Sequence, residues 1–421
     1  MTVLRRRHML AALAASALLP GRTLAARPTS RLVVVGGGFA GATLARFVKR
    51  LSPEIAVVLI EARDRYISCP MSNLVIAGQR SLAAQTFDYR GLEAAGIEVV
   101  RGMAVDVDAA TRRVRLQGGT SIDYDRLVLA PGVMLNFDQL PGMSAQGAQR
   151  MPHAWQAGAQ TTLLRRQLQA MPDDGLVVIS VPAAPYRCPP GPYERASLMA
   201  SYFKQNKPKA QILILDSNER FSKQALFQQG WKRMYGDRIR WQSASNDGRV
   251  IRVEPDAMRL HTDFATHSPD VANIIPPQQA GLIAHRASVT DASGWCPVNP
   301  LSFESRLQPN IHVIGDAAIA APMPKSAFSA NAQAKVCAIA LVRMFRGLSP
   351  QPTVLANTCY SYLEPGSAIS IAGAYRTQDG EFSSIAAAAG ASPLNPPAGL
   401  QAQEALHAAD WFRAITQETF G

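Results

Sequence analysis

The sequence predicts an α/β protein with two Rossmann-like dinucleotide-binding domains, the second without a nucleotide site, followed by a C-terminal α+β interface domain. Three observations carry that prediction. Residues 31–61 and 175–216 each read as apolar strand, turn, helix and second apolar strand closed by an acid. A later apolar strand, Ile311–Ile314, runs into Gly315-Asp316 and a helical pattern from about Ser326. The tail then carries two strand-like runs, 360–363 and 368–375, broken by Glu364-Pro365-Gly366, and ends in a helix bearing Trp411 and Phe412. At 421 residues, 47% hydrophobic and without low-complexity blocks, the chain is long enough for two or three well-buried cores.

Residues 1–26 have an arginine run (Arg5–Arg7), an apolar run from Met9 to Leu19 and small residues up to Ala26. This pattern predicts an export signal, and the order Arg6-Arg7-His8-Met9-Leu10 is twin-arginine-like, so the expected location is the periplasm. Its apolar run is short for a membrane span. Losing Arg5, Arg6, Arg7 and Arg22 would lower the formal charge from +12 to +8. The remaining basic residues are scattered, with no aromatic-interleaved stripe. Nucleic acid is therefore not an expected partner, and the charge suits an anionic substrate or an acidic protein.

The FAD-binding domain is expected over 30–140 and, resumed, over 276–345. Its first turn places Gly36, Gly38 and Gly41 in G-x-G-x-x-G register between strand and helix. Such glycines permit the tight turn, the approach of a pyrophosphate and close helix–strand packing. Glu61, 20 residues after Gly41, is placed to accept from a ribose 2′-hydroxyl, which favours FAD or NAD over a 2′-phosphorylated nucleotide. Ala130-Pro131-Gly132 closes a strand as in flavoproteins of the glutathione-reductase-like FAD/NAD(P) fold. Asp316 stands where that fold binds a ribityl hydroxyl.

The second domain, 141–275, has the architecture of a nicotinamide domain but the turn VPAAPYRCPPGPYE. Prolines remove the N–H groups a pyrophosphate needs and obstruct its approach, so this unit is expected to have lost NAD(P)H. Gly191 as N-cap, Pro192 at the first and Glu194 at the third helical position form a good helix start, and Glu194 there reads as a partner of the helix dipole. Cys188, just upstream, is expected to have a lowered pKa. Residues 217–275 show no site.

Five cysteines, Cys69, Cys188, Cys296, Cys337 and Cys359, allow at most two bridges, leaving at least one thiol otherwise occupied. No C-x-x-C or Cys/His cluster indicates a metal or an attached haem.

The segments YISCPMSNLVIAG, YRCPPGPYERA, IHVIGDAAIAAPMPKSAFSANAQAKV, NTCYS and DWFRAITQETFG together resemble the flavoprotein subunit of flavocytochrome c sulfide dehydrogenase, from about residue 30 onward. The resemblance extends to the related flavoprotein of periplasmic thiosulfate-oxidising systems. It implies that Cys69 carries FAD covalently, that Cys188 and Cys359, 171 residues apart, form a redox-active disulfide, that Glu194 is the active-site acid and that Trp411 lies near the flavin. Cys296 and Cys337 are then left as buried thiols. The implied reaction is oxidation of sulfide to zero-valent sulfur or polysulfide, with electrons passing through FAD to a c-type cytochrome, either a partner subunit or a soluble protein. A sulfide:quinone oxidoreductase is the nearest alternative, but the C-terminal segment from 346 to 421 ends in a mixed, polar helix rather than an apolar docking segment, and no stable membrane insertion is expected. A non-catalytic accessory flavoprotein of a thiosulfate-oxidising complex is the other.

Overall fold

A computed structural model describes residues 30–421; the expected export signal lies outside the described residues. The chain opens with β1 (Arg31–Val35), α1 (Phe39–Leu51) and β2 (Ala56–Glu61), continues through the short helix α2 (Ser72–Ile76), and adds β3 (Glu98–Arg101) and β4 (Arg126–Leu129). Leu32, Val33, Val34 and the residues of β2 from Val57 to Ile60 are almost fully buried, as expected for parallel strands covered on both faces. Lys49 and Arg50 in the last turn of α1 complement its dipole.

The second unit comprises β5 (Leu176–Val181), α3 (Gly191–Asn206), β6 (Gln211–Asp216), α4 (Gln224–Tyr235), β7 (Ile239–Gln242) and β8 (Val271–Ile274). Its four strands form a parallel sheet in the order β7-β6-β5-β8. The chain then returns: β9 (Ile311–Val313) pairs with β4 and completes a five-stranded parallel sheet, β9-β4-β1-β2-β3. The outgoing and returning segments are tied together by antiparallel pairing of 133–135 with 278–280.

After α5 (Ala327–Phe345), which packs on α1, the tail forms an antiparallel sheet of β10 (Val354–Glu364), β11 (Ser367–Gln378) and β12 (Glu381–Ser384), then α6 (Leu400–Phe420). Both long strands extend well beyond the runs legible in the sequence. The end of α6 returns to the first domain, where Phe420 stacks on Phe87 at 5.0 Å and on Tyr66 at 5.2 Å, and Thr419 meets Thr43 at 3.0 Å. That docking brings the middle of α6 against the cleft described below. No helix among the described residues is long and apolar enough to cross a membrane.

Two buried histidines are expected to make the fold acid-sensitive. His153 accepts from the Trp155 N–H at 2.9 Å, and His312 donates from Nδ1 to the Ser302 carbonyl at 2.9 Å. Burial is the main cause that holds both pKa values down to about 4; nearby guanidinium groups, Arg195 for His153 and Arg126 for His312, act in the same direction. The unfolded chain therefore takes up these protons first as pH falls. Each histidine is expected to contribute ~3 kcal/mol of stability present above about pH 6.5 and lost on the way to about pH 4. Urea unfolding over that range should show a shallower pH dependence for His153→Gln than for the parent; equal slopes would refute the assignment.

Candidate active site

A cleft opens where the carboxyl end of the first sheet meets the turn leading into α3, the N-terminus of α5, β10 and α6. At its first-domain end Gly36 has φ +103°, and a Cβ there would lie 2.3 Å from the Ala130 carbonyl oxygen. A Cβ on Gly41 would lie 2.0 Å from the Gly36 carbonyl oxygen, so only glycine lets α1 come this close to β1. Gly38 is the N-cap of α1, whose first N–H groups are available to an anion. Glu61 ends β2, and its carboxylate accepts from Gly37 N at 2.8 Å and Arg63 N at 3.0 Å. These bonds hold the acid beside the glycine turn and leave lone pairs for a ribose hydroxyl.

Asp316 lies across the cleft, just before α5. Its Oδ1 is buried without a hydrogen-bond partner, and burial raises its pKa against the pull of Arg187 and Lys325. The buried indole N–H of Trp155 also lacks a partner. An orphaned carboxylate oxygen opposite a glycine cradle fits FAD, which would supply the pyrophosphate for the cradle and a ribityl hydroxyl for Asp316. Ser326 caps α5 through Ser329 N, so this helix presents its N-terminus to the same cleft.

Three of the five thiols line the cleft: Cys69, Cys188 and Cys359. All five are free thiols in this structure. Cys69 precedes α2, with its Sγ 3.7 Å from the Trp155 carbonyl oxygen. Cys188 occupies a left-handed backbone position, φ +55°, and is tied to the first domain by its N–H to the Lys325 carbonyl at 2.8 Å. Cys359 sits within β10, and Asn357 Nδ2 donates to its Sγ at 3.3 Å. Trp411 stacks parallel to Phe328 at 6.2 Å along the cleft wall. Cys296 and Cys337 are fully buried, and burial pushes both thiols up, Cys296 to about 12.

Glu194 points into the cleft from the first turn of α3. Its Oε1 accepts from Tyr362 N at 2.9 Å and its Oε2 from Asn73 Nδ2 at 2.7 Å, while burial raises its pKa. A carboxyl whose charge is disfavoured by burial and favoured by two donors is suited to exchanging protons with a group in the cleft. The helix begins one residue earlier than the sequence suggests: Pro190 is the N-cap, so Glu194 is the fourth helical residue and reaches across to α2 and β10 rather than back to the helix end.

The expected low pKa of Cys188 is overturned. Burial, then the Glu194 carboxylate and Cys359, push the thiol up to about 12, although it faces the open cleft. The dipole of α3 is outweighed first by desolvation of the thiol and then by the neighbouring carboxyl group, and the cations there, Arg187 and Lys223, offset this only in part.

In the second unit the acid that closes the second strand does not face its turn. Asp216, at the end of β6 where an acid would meet a ribose, is fully buried and accepts from Tyr193 at 2.5 Å, Trp241 at 2.9 Å and Asn218 at 2.8 Å. Glu61 faces its turn, whereas Asp216 is consumed internally.

Sequence reasoning missed two residues. The Arg187 guanidinium donates to the Trp155 carbonyl beside Cys69, and Cys69, Asp316 and Tyr66 raise its pKa against the opposing effect of burial. Lys223, in the stretch where no site was expected, has its ammonium buried behind Cys359. A signal for it was present: a lysine at the start of a helix opposes the dipole and needs another reason to be there.

Family profiles match three stretches: the central part of the sulfide dehydrogenase [flavocytochrome c] flavoprotein chain over 161–276, the flavocytochrome c sulphide dehydrogenase flavin-binding domain over 351–420, and pyridine nucleotide-disulphide oxidoreductase over 30–179. The chain is 49% identical over 47 residues, 11% of its length, to the sulfide dehydrogenase [flavocytochrome c] flavoprotein chain of Chlorobaculum thiosulfatiphilum, covering 98% of that sequence. It is 24% identical over 341 residues to the mitochondrial sulfide:quinone oxidoreductase of Mus musculus, 75% of this chain and 71% of the relative. Among solved structures, the sulfide:quinone oxidoreductase of Aquifex aeolicus superposes with a TM-score of 0.73 at 19% identity, over 92% of both chains, which supports the two-domain FAD-type fold.

Proposed function

The chain belongs to the family of flavoprotein subunits of flavocytochrome c sulfide dehydrogenase, and on that premise we propose that it oxidises sulfide with FAD, through a Cys188–Cys359 disulfide, and passes the electrons to a c-type cytochrome. The observation that carries this reading is the convergence in one cleft of Cys188, Glu194 and Cys359, from three distant segments, beside the orphaned Asp316 oxygen.

The residues divide the work. Arg187 lines the cleft and offers a fixed cation to an entering hydrosulfide anion. Hydrosulfide attacks one sulfur of the disulfide; the S–S bond breaks, a persulfide forms, and the other cysteine leaves as thiolate. A second hydrosulfide then attacks the outer sulfur of the persulfide, the persulfide S–S bond breaks, hydrodisulfide is released and the cysteine leaves as thiolate, completing the dithiol. Glu194, held by Asn73 and Tyr362, exchanges the protons. FAD, when bound, supplies a two-electron acceptor beside the dithiol that can be emptied one electron at a time. The sequence has no C-x-x-C-H, so the haem belongs to a partner subunit or a soluble cytochrome c. Cys69 is the proposed covalent anchor and Trp411 a wall of the flavin site. The proposed location is the periplasm.

The test is an anaerobic titration of the purified holoprotein with sulfide, followed by oxidised cytochrome c, a short-chain quinone or NADH in separate runs. Bleaching by stoichiometric sulfide, reversed by the cytochrome faster than by the quinone and not produced by NADH, is expected. No bleaching would remove the sulfide reading, and faster reoxidation by quinone would transfer the acceptor role to that molecule.

A further inference from the structure

We infer that Lys223 is a positioning residue that gives the disulfide a direction: it backs Cys359 as the leaving thiolate, so that hydrosulfide is captured on Cys188. This rests on the disulfide reading above.

Lys223 enters α4 in a left-handed conformation, φ +62°, with 8% of its surface exposed. Its ammonium donates to the Cys359 carbonyl at 2.8 Å and to Ser361 Oγ at 2.7 Å, and lies 5.9 Å from the Phe227 ring centre. Both oxygen partners are neutral, and among the described residues the ammonium makes no salt bridge. A cation buried at a helix N-terminus, with only neutral acceptors, is opposed by desolvation and by the dipole. It is best accounted for by an anion that forms nearby during turnover.

Cys359, whose own carbonyl holds the ammonium, is the group assigned to that anion. Burial lowers the Lys223 ammonium to about 8; of the groups that oppose this, a Cys359 thiolate acts most strongly, then Glu194, Cys188 and Glu404. Glu404, facing from α6, is engaged by the Ser370 and Ser392 hydroxyls at 2.7 and 2.6 Å. Tyr375 faces Cys359 from β11. The Cys359 sulfur itself accepts from Asn357 Nδ2, whose orientation is set because Ser326 and Ser329 hydroxyls occupy Asn357 Oδ1 at 2.6 and 3.1 Å. Cys188 lines the open cleft, where burial and then Glu194 disfavour negative charge on it and Arg187 and Lys223 offset this only in part.

Thiol–disulfide exchange runs toward the sulfur that is the better leaving group. The step is HS⁻ plus Cys188–S–S–Cys359 giving Cys188–S–SH plus Cys359–S⁻. The new S–S bond oxidises the hydrosulfide sulfur, the electron pair of the broken bond stays on Cys359, and the total charge is unchanged.

The experiment mixes the oxidised holoprotein with one equivalent of sulfide, quenches it with iodoacetamide in denaturant, and locates the extra sulfur by peptide mass. The expected result is persulfide on the Cys188 peptide. In Lys223→Met the persulfide should spread to both peptides and the rate of flavin reduction at saturating sulfide should fall about three- to thirtyfold, with Lys223→Arg restoring both. Persulfide on the Cys359 peptide of the parent overturns the inference, and that readout stands even if Lys223→Met fails to fold. An unchanged Lys223→Met also overturns it. Non-reducing peptide mapping separates the two levels: a missing Cys188–Cys359 bridge sinks the disulfide reading as well, whereas a bridge with an unmoved Lys223→Met sinks only the role of Lys223.

Discussion

Cys188→Ser is expected to bind FAD as the parent does while its flavin is reduced by sulfide about a thousandfold more slowly, or not at all. The substitution leaves the turn intact: the backbone bonds from Cys188 N to Lys325 and from Gly191 N to the Cys188 carbonyl do not depend on the side chain. Cofactor contacts assigned to Gly36–Gly41, Glu61 and Asp316 are likewise untouched. What disappears is the electrophilic sulfur, since serine forms no disulfide with Cys359. Dithionite should still bleach the variant at the parental rate, which separates loss of sulfide chemistry from loss of flavin. Stopped-flow absorbance of the flavin band measures both. If sulfide reduced the variant as fast as the parent, the disulfide would have no part in the reaction.

Cys69→Ala is expected to convert a flavin that stays with the protein after acid precipitation into one found wholly in the supernatant. The loop that carries Cys69 is held by buried polar contacts: Ser68 N to the Gln85 carbonyl at 2.9 Å, and Gln85 Nε2 to the Ser68 carbonyl at 2.8 Å and to Ser72 Oγ at 2.9 Å. Gln85 is fully buried, so the thiol is delivered to the cleft by a rigid segment. Alanine keeps those contacts and removes only the sulfur. The native variant should therefore still fold and bind FAD, more weakly for want of a covalent tether. A yellow precipitate from Cys69→Ala would place the attachment elsewhere, and the other cleft thiols, Cys188 and Cys359, would be the ones to map.

The parts of this protein legible in its sequence are those governed by neighbours in the chain. Gly36, Gly38, Gly41 and Glu61 could be read because turn, helix start and second strand follow one another within thirty-one residues, each obeying a local steric or hydrogen-bonding rule. The proline-rich turn that argues against a second nucleotide site was legible for the same reason: proline acts on its own backbone. Asp316 could be placed from the strand and helix on either side of it.

The properties of the cleft were not legible, because they depend on which distant groups share a desolvated space. Cys188 sits one turn from a helix start, which alone would favour its thiolate, yet burial and then Glu194 reverse the sign. Lys223 is unremarkable as one lysine in Arg220–Gln224, and gains meaning only when β10 lays Cys359 and Ser361 over it. Trp411 reaches the cleft because Phe420 docks α6 onto the first domain. The sequence by itself determined the fold class and the FAD cradle, since these follow from backbone geometry over short spans. Only the tertiary structure decided how the thiols, Glu194 and Lys223 are charged against one another, because desolvation and Coulomb energies depend on distance through space and not along the chain.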